Sequence, residues 1–133
     1  MRHGLIAALV VACFAAVGSA WATDFLQQTS ALNGVTVKAT PRAVSDQIWE
    51  IDLIFDTHSQ EITDDARKAA TLVADGGAAL HPTEWRGDLP GGHHREGTLR
   101  FEGVAPASAL LELRLQREGE PAPRVFRWSM GKP

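Results

Sequence analysis

Short stretches of alternating apolar and polar residues dominate the chain. The clearest of them, at 48–56, reads IWEIDLIFD and has apolar residues at every second position. Successive side chains of a strand point to opposite faces, so this pattern predicts a strand with one buried face. The same alternation predicts strands at 34–40, 98–102, 109–116 and 124–130. Weaker strands are predicted at 71–74 and 78–80, on either side of an Asp-Gly-Gly turn.

One short helix is predicted at 63–70. Thr63 is the expected N-cap, acidic residues follow it in the first turn, and basic residues stand near the end. About seven strands in about 100 residues indicate an all-β fold, an immunoglobulin-like antiparallel β-sandwich. We expect this domain at 34–130, preceded at 23–33 by an N-terminal arm without a clear period.

The first residues predict export. Arg2 precedes an apolar run and small residues, and Ala20 and Ala22 suit cleavage, so we expect a signal peptide at 1–22. The run is shorter than the roughly 20 residues of a spanning helix, and we expect no transmembrane segment. The expected location is periplasmic or secreted. Lipid anchoring at Cys13 is the alternative, disfavoured because residues 14–22 still read as signal.

Charge and cysteine content narrow the chemistry. The formal net charge of −3 becomes −4 without Arg2, and the charges are scattered, which argues against nucleic acid as a partner. Cys13 is the chain's one cysteine and would leave with the signal. Disulfides, thiolate catalysis and thiolate metal ligation are therefore not expected in the mature domain.

The candidate site is a set of histidines at predicted loops and strand ends. His58 follows the strongest strand, and His93 and His94 follow a Gly-Gly turn. Strand ends gather at the two poles of a sandwich, so these residues could share a divalent metal such as copper or zinc. Asp56, Trp85 and Arg95 are candidate supporting residues. A blue-copper centre is excluded because it needs a cysteine thiolate.

A simpler interpretation is that the same side chains only brace loops. The run Asp-Thr-His-Ser can hydrogen-bond to its own backbone, and Arg95 could pair with Asp56 or Asp88. On this interpretation the chain is a non-enzymatic accessory or interaction domain, and its partner is another exported protein.

Two other functions have weaker support in the sequence. Trp85 lies outside any apolar period and could stack on a sugar, in which case its ring should be exposed beside a groove. Hydrolysis has weak support, because Ser59 beside His58 lacks the surroundings of a catalytic serine, and a small sandwich offers no deep cleft for Glu84 and Asp88. We therefore do not expect an enzyme.

The arrangement resembles a group of small exported domains of uncharacterised function. Their pattern here comprises Asp-Thr-His-Ser at 56–59, Asp-Gly-Gly at 75–77, Trp-x-Gly at 85–87, Gly-Gly-His-His-Arg at 91–95 and Leu-x-Phe at 99–101. The resemblance implies that His58, His93 and His94 belong to one site, and it implies no reaction. Unlike copper carriers, the chain has no histidine at the expected mature N-terminus and no methionine-rich loop.

Overall fold

The computed structural model describes residues 26–129, which form eight strands and one short helix. The strands are β1 (Gln28–Leu32), β2 (Val35–Ser45), β3 (Ile48–Thr57), β4 (Ala70–Ala74), β5 (Glu84–Gly87), β6 (His94–Glu102), β7 (Leu110–Leu115) and β8 (Arg124–Ser129), and the helix α1 is Ala66–Ala69. All pairings are antiparallel, in sheets ordered β1-β2-β3-β6-β5 and β4-β7-β8. The predicted all-β sandwich is confirmed, with eight strands rather than about seven.

The strand order matches that of an immunoglobulin constant-type domain. In such a domain the first, second, fifth and fourth strands form one sheet, and the third, sixth and seventh form the other. Counting from β2, the same order appears here as β2-β3-β6-β5 and β4-β7-β8. The fold is therefore immunoglobulin-like, and β1 is an added strand at one edge of the larger sheet.

The core lies between the two sheets and consists of the alternating apolar positions. Every second residue of β3 from Ile51 to Phe55 is fully buried, as the period predicts. Phe126 and Trp128 enter the core from β8, and their rings stack with centroids 6.4 Å apart. Trp49 packs against this core from a half-buried position. Trp49 and Trp128 therefore pack with the core, as their positions in the apolar alternation of β3 and β8 predict.

Two strands lie where none was predicted. Strand β1 falls within the segment expected to be a loose arm, and β5 falls in a stretch without an apolar period. Backbone pairing holds each of them: β1 pairs with β2, and β5 pairs with β6. Strand β6 also begins at His94 rather than at Thr98, so His94 is a strand residue and not part of a turn.

The connection between β3 and β4 also differs in detail from the expectation. Helix α1 is a single turn whose N-cap is Asp65 rather than Thr63. The Oδ1 atom of Asp65 accepts hydrogen bonds from the backbone N–H groups of Arg67 at 3.1 Å and Lys68 at 3.3 Å. The weak strand predicted at 78–80 is reduced to one isolated bridge between Leu80 and Leu72.

The predicted signal peptide, its boundary at Ala22 and the lipidation alternative at Cys13 lie outside the described residues. Within residues 26–129, no helix is both long and apolar enough to cross a membrane.

Candidate functional site

The fold brings the segments that carry His58, His93 and His94 to one end of the five-stranded sheet. Asp56 and His94 are direct cross-strand partners, and the N–H of Thr57 donates to the carbonyl of His93 at 2.9 Å. His58 comes next in the chain after Thr57. We call this end of the sandwich the histidine pole. All three histidines are exposed there.

The Gly-Gly pair before the histidines makes this arrangement possible. Gly91 and Gly92 have φ angles of 122° and 77°, in the region that glycine adopts without the strain a side chain would cause. The chain can then fold back on Ile62, which accepts from the N–H of Gly91 at 2.7 Å and donates to the carbonyl of Gly92 at 2.9 Å. These hydrogen bonds tie the turn to the β3–α1 connection and position the backbone that leads into His93 and His94.

His94 lies between two carboxylates on the outer face of the sheet. Its Nδ1 is 2.5 Å from Oδ1 of Asp56, and its Nε2 is 3.3 Å from Oε2 of Glu96. The hydrogen bond with Asp56, and then that with Glu96, raise the pKa of His94 above its ordinary value. When this ring is protonated, both of its nitrogens donate to carboxylates, and an imidazolium has no lone pair to give to a metal.

The described residues include no group of three or more histidine, cysteine, aspartate or glutamate side chains placed to hold a metal ion. His81, the fourth histidine of the predicted mature chain, lies elsewhere. It precedes β5 and lines a shallow groove beside α1 with Arg67, Lys68 and Pro82. His81 therefore does not belong to the histidine pole.

Arg95 points into the sandwich rather than towards Asp56. It is 2% exposed, and its guanidinium donates to the backbone carbonyls of Asp88 (3.1 Å) and Asp64. The guanidinium carbon also lies 5.1 Å from the centre of the Trp85 ring, within cation–π distance. Burial lowers the pKa of Arg95, and the nearby carboxylates of Asp64, Asp65 and Asp88 oppose that effect. Arg95 therefore fastens two loops to the interior.

Trp85 is a packing residue at this end of the sandwich. Its ring is half-buried against the core, and its Nε1 donates to the carbonyl of Asp88 at 3.1 Å. A Cβ atom at Gly97 would lie only 2.5 Å from the Trp85 ring, so the ring rests on that glycine. This arrangement gives no support to the sugar-stacking hypothesis, which required an exposed ring beside a groove.

A buried network of four charged residues was missed by the sequence analysis. Asp64, Arg117, Glu120 and Arg124 form a chain of salt bridges, and their side chains are between 1% and 8% exposed. Arg124 reaches Glu120 at 2.7 Å, and Arg117 reaches Asp64 at 2.9 Å. Because the backbone carbonyl of Asp64 also accepts from Arg95, the network is continuous with the Arg95–Trp85 contact.

One signal in the sequence could have located part of this network. Arg124 is in phase with Phe126 and Trp128, and Arg95 is in phase with Leu99 and Phe101. An arginine at an inward position of an alternating strand predicts a buried cation that needs acceptors. The acceptors themselves lie in loops, where no periodicity identifies them.

A second unexpected feature lies on the outer face of the larger sheet. Glu50 is only 6% exposed although it points away from the core. Three arginines surround its carboxylate: Arg42 of β2 at 3.5 Å, Arg100 of β6 at 3.7 Å, and Arg86 of β5 in direct contact. Their side chains cover Glu50, and its buried carboxylate is paired with opposite charges on this part of the outer face.

The fold and this pole define a small immunoglobulin-like sandwich in which a histidine lies between two carboxylates above a buried arginine. Comparison of the chain with models of protein families, with curated proteins and with solved structures finds no match.

Proposed function

We propose that the chain is an exported, non-enzymatic accessory or interaction domain whose histidines stabilise the histidine pole. The observation that carries this proposal is the position of His94 between Asp56 and Glu96. Asp56 belongs to β3, whereas His94 and Glu96 belong to β6, so His94, when protonated, joins the two strands where both approach the loops. Export is supported by the predicted signal at 1–22.

The electrostatics of the pole favour a bracing role for His94 over ligation. To bind a metal, His94 would have to lose a proton that two carboxylates stabilise, and the ring would have to leave at least one of them. The hydrogen bonds that raise the pKa of His94 therefore compete directly with coordination. Arg95 and Trp85, the other residues predicted to support a site, are engaged inside the sandwich.

Binding of copper or zinc is the second candidate function. It is favoured by the backbone pairing of Thr57 with His93, which brings His58, His93 and His94 to one end of the sheet beside the carboxylate of Asp56. Imidazole nitrogens and carboxylate oxygens are suitable donors for either metal. The side chains of the three histidines and Asp56 would have to rearrange to bind one ion together.

Calorimetric titration of residues 23–133 with zinc and with copper(II) at neutral pH separates the two functions. We expect no micromolar binding, and the same weak heats for the wild type, His93→Ala, His94→Ala and the control His81→Ala. Binding at micromolar affinity or tighter that is lost in His93→Ala and His94→Ala, but kept in His81→Ala, would overturn the bracing function in favour of a metal site.

A further inference from the structure

Within residues 26–129, two of the four sheet edges, those at β8 and β4, are covered by hydrogen bonds within the chain. At β1, Arg124 donates to the carbonyls of Ser30 at 3.0 Å and Leu32 at 2.9 Å, but these face β2, and no hydrogen bond among the described residues covers the outward groups of Thr29 and Ala31. The Gln28 side chain bonds both backbone groups of Arg127 on β8. At β4, Leu72 and Leu80 exchange two backbone hydrogen bonds, of 2.9 and 2.8 Å. Covers of this kind prevent edges from pairing with other chains.

Of the two edges that are not covered, β5 has charged side chains that can set a register with a second strand, whereas β1 has none. Strand β5 pairs with β6 on one side and ends the sheet order on the other. The hydrogen bond from the N–H of Asp88 to the carbonyl of Glu96 sets the alternation, so Trp85 and Gly87 direct their backbone groups away from β6. No hydrogen bond among the described residues covers these groups as Gln28 covers β8.

From these observations we propose that two copies of the chain associate through antiparallel pairing of their β5 strands. A twofold axis at Trp85 places Glu84 of each copy opposite Arg86 of the other, in two complementary pairs on the outer face of the joined sheet. Both side chains are about half exposed. Within one copy Arg86 contacts Glu50 and lies 3.7 Å from Glu84, so Glu84 of the second copy would join this group of charges. The proposal gives the interaction domain a partner, a second copy, and it does not depend on the role of the histidines.

Charge fixes the register of the paired strands. Outward backbone groups must meet outward groups, so the strands can shift only by two residues at a time. A shift in one direction places Arg86 opposite Arg86, and a shift in the other places Glu84 opposite Glu84. Like charges that face each other across strands are destabilising, whereas opposite charges are stabilising. The register centred on Trp85 is therefore favoured over both neighbours.

The same register gives a role to Leu89, which is 84% exposed, the most of any large apolar side chain among residues 26–129. Leu89 follows β5 closely and is held by loop residues that hydrogen-bond to Ile62 and Glu96. In the paired arrangement it lies level with His81 of the second copy, at the groove beside α1. Burial of an apolar side chain in that groove would add to the stability of the pair.

Sedimentation velocity of residues 23–133 between about 1 µM and about 1 mM tests the proposal over the affinity range expected of a small interface. We expect a reversible monomer–dimer equilibrium. Glu84→Lys should weaken it about tenfold or more, because two attractive pairs become repulsive. Leu89→Asp should weaken it as well. The matched controls Glu102→Lys and Val44→Asp, at other exposed positions, should leave it unchanged.

A wild type that stays monomeric throughout this range would overturn the proposal. So would a dimer that Glu84→Lys and Leu89→Asp leave intact. Because none of these variants changes a histidine, failure here leaves the bracing function standing, and metal binding in the titration described above leaves the dimer standing.

Discussion

At the scale of single residues, the contact of Trp85 with Arg95 depends on a glycine. Gly97 faces Gly87 across β5 and β6, and the Trp85 ring occupies the space that a side chain at Gly97 would fill. The ring thereby lies within reach of the Arg95 guanidinium, which is itself held by two loop carbonyls. One missing side chain thus allows an aromatic ring and a buried cation to pack at the end of the sandwich.

Gly97→Ala should therefore destabilise the domain. The added Cβ would lie 2.5 Å from Cζ2 of Trp85 and 2.7 Å from the carbonyl oxygen of Arg86, so both must move. We expect the free energy of unfolding in urea to fall by about 1–3 kcal/mol, the usual cost of overpacking. In a Trp85→Phe background the same substitution should cost less, because the smaller ring removes one of the two clashes. Equal stability of Gly97→Ala and the wild type would contradict the packing described for Trp85.

At the scale of elements, the sequence predicts best the strands whose side chains enter the core. The bounds of β3 were predicted to within one residue because its alternation is set by burial. Strand β1 has the polar run Gln28-Thr29-Ser30, and its position depends on pairing with β2 and on the long-range contacts of Gln28 and Arg124. No local pattern encodes those contacts.

Strand β5 and helix α1 show two further limits of local patterns. β5 has four residues, too few for a period to be distinguished from chance, and it is a strand because β6 pairs with it. For α1, both Thr63 and Asp65 are suitable N-cap residues. Ala66 is buried, and its position in the core selects the later start.

At the scale of the whole molecule, the histidine pole is closed by charged side chains rather than by apolar ones. The network from Asp64 to Arg124 crosses from the β3–α1 connection to β8, and Arg124 also bonds the carbonyl of Val35 in β2 at 2.9 Å. Removing one member of a buried ion pair leaves its partner uncompensated, which costs far more than an exposed pair is worth. This pole should therefore be sensitive to single charge removals.

Glu120→Gln should lower the free energy of unfolding by roughly 3 kcal/mol at neutral pH, because Arg117 and Arg124 lose their shared carboxylate. Hydrogen bonding to Arg124 lowers the pKa of Glu120. Its contribution is therefore complete above the ordinary carboxyl pKa and is lost as the pH falls through the lowered one. The difference in free energy of unfolding between the wild type and Glu120→Gln, measured in urea, should therefore become smaller in acid. The neighbouring substitution Glu118→Gln, at an exposed position, should have almost no effect; equal effects of the two would count against the network.

The candidate site could be predicted only in part, for a physical reason. Strand topology places the histidine segments at one end of a sandwich, and that much follows from strand ends and loops. Whether Asp56 and Glu96 would reach His94 depends on cross-strand register and on the early start of β6. Arg95 was predicted to support the site or to pair with Asp56 or Asp88, whereas its phase with Leu99 directs it inward.

The pKa of His94 is the measurement that tests the bracing function most directly. Hydrogen bonds with Asp56 and Glu96 raise this pKa, so the stabilisation from His94 is complete below the ordinary value of about 6.5 and is lost as the pH rises through the raised one. In an NMR titration of the imidazole protons, assigned by their loss in His94→Gln, we predict a pKa above the ordinary value. It should return towards that value in Asp56→Asn and stay raised in the control Glu61→Gln. A wild-type pKa at or below the ordinary value, unchanged in Asp56→Asn, would contradict the account.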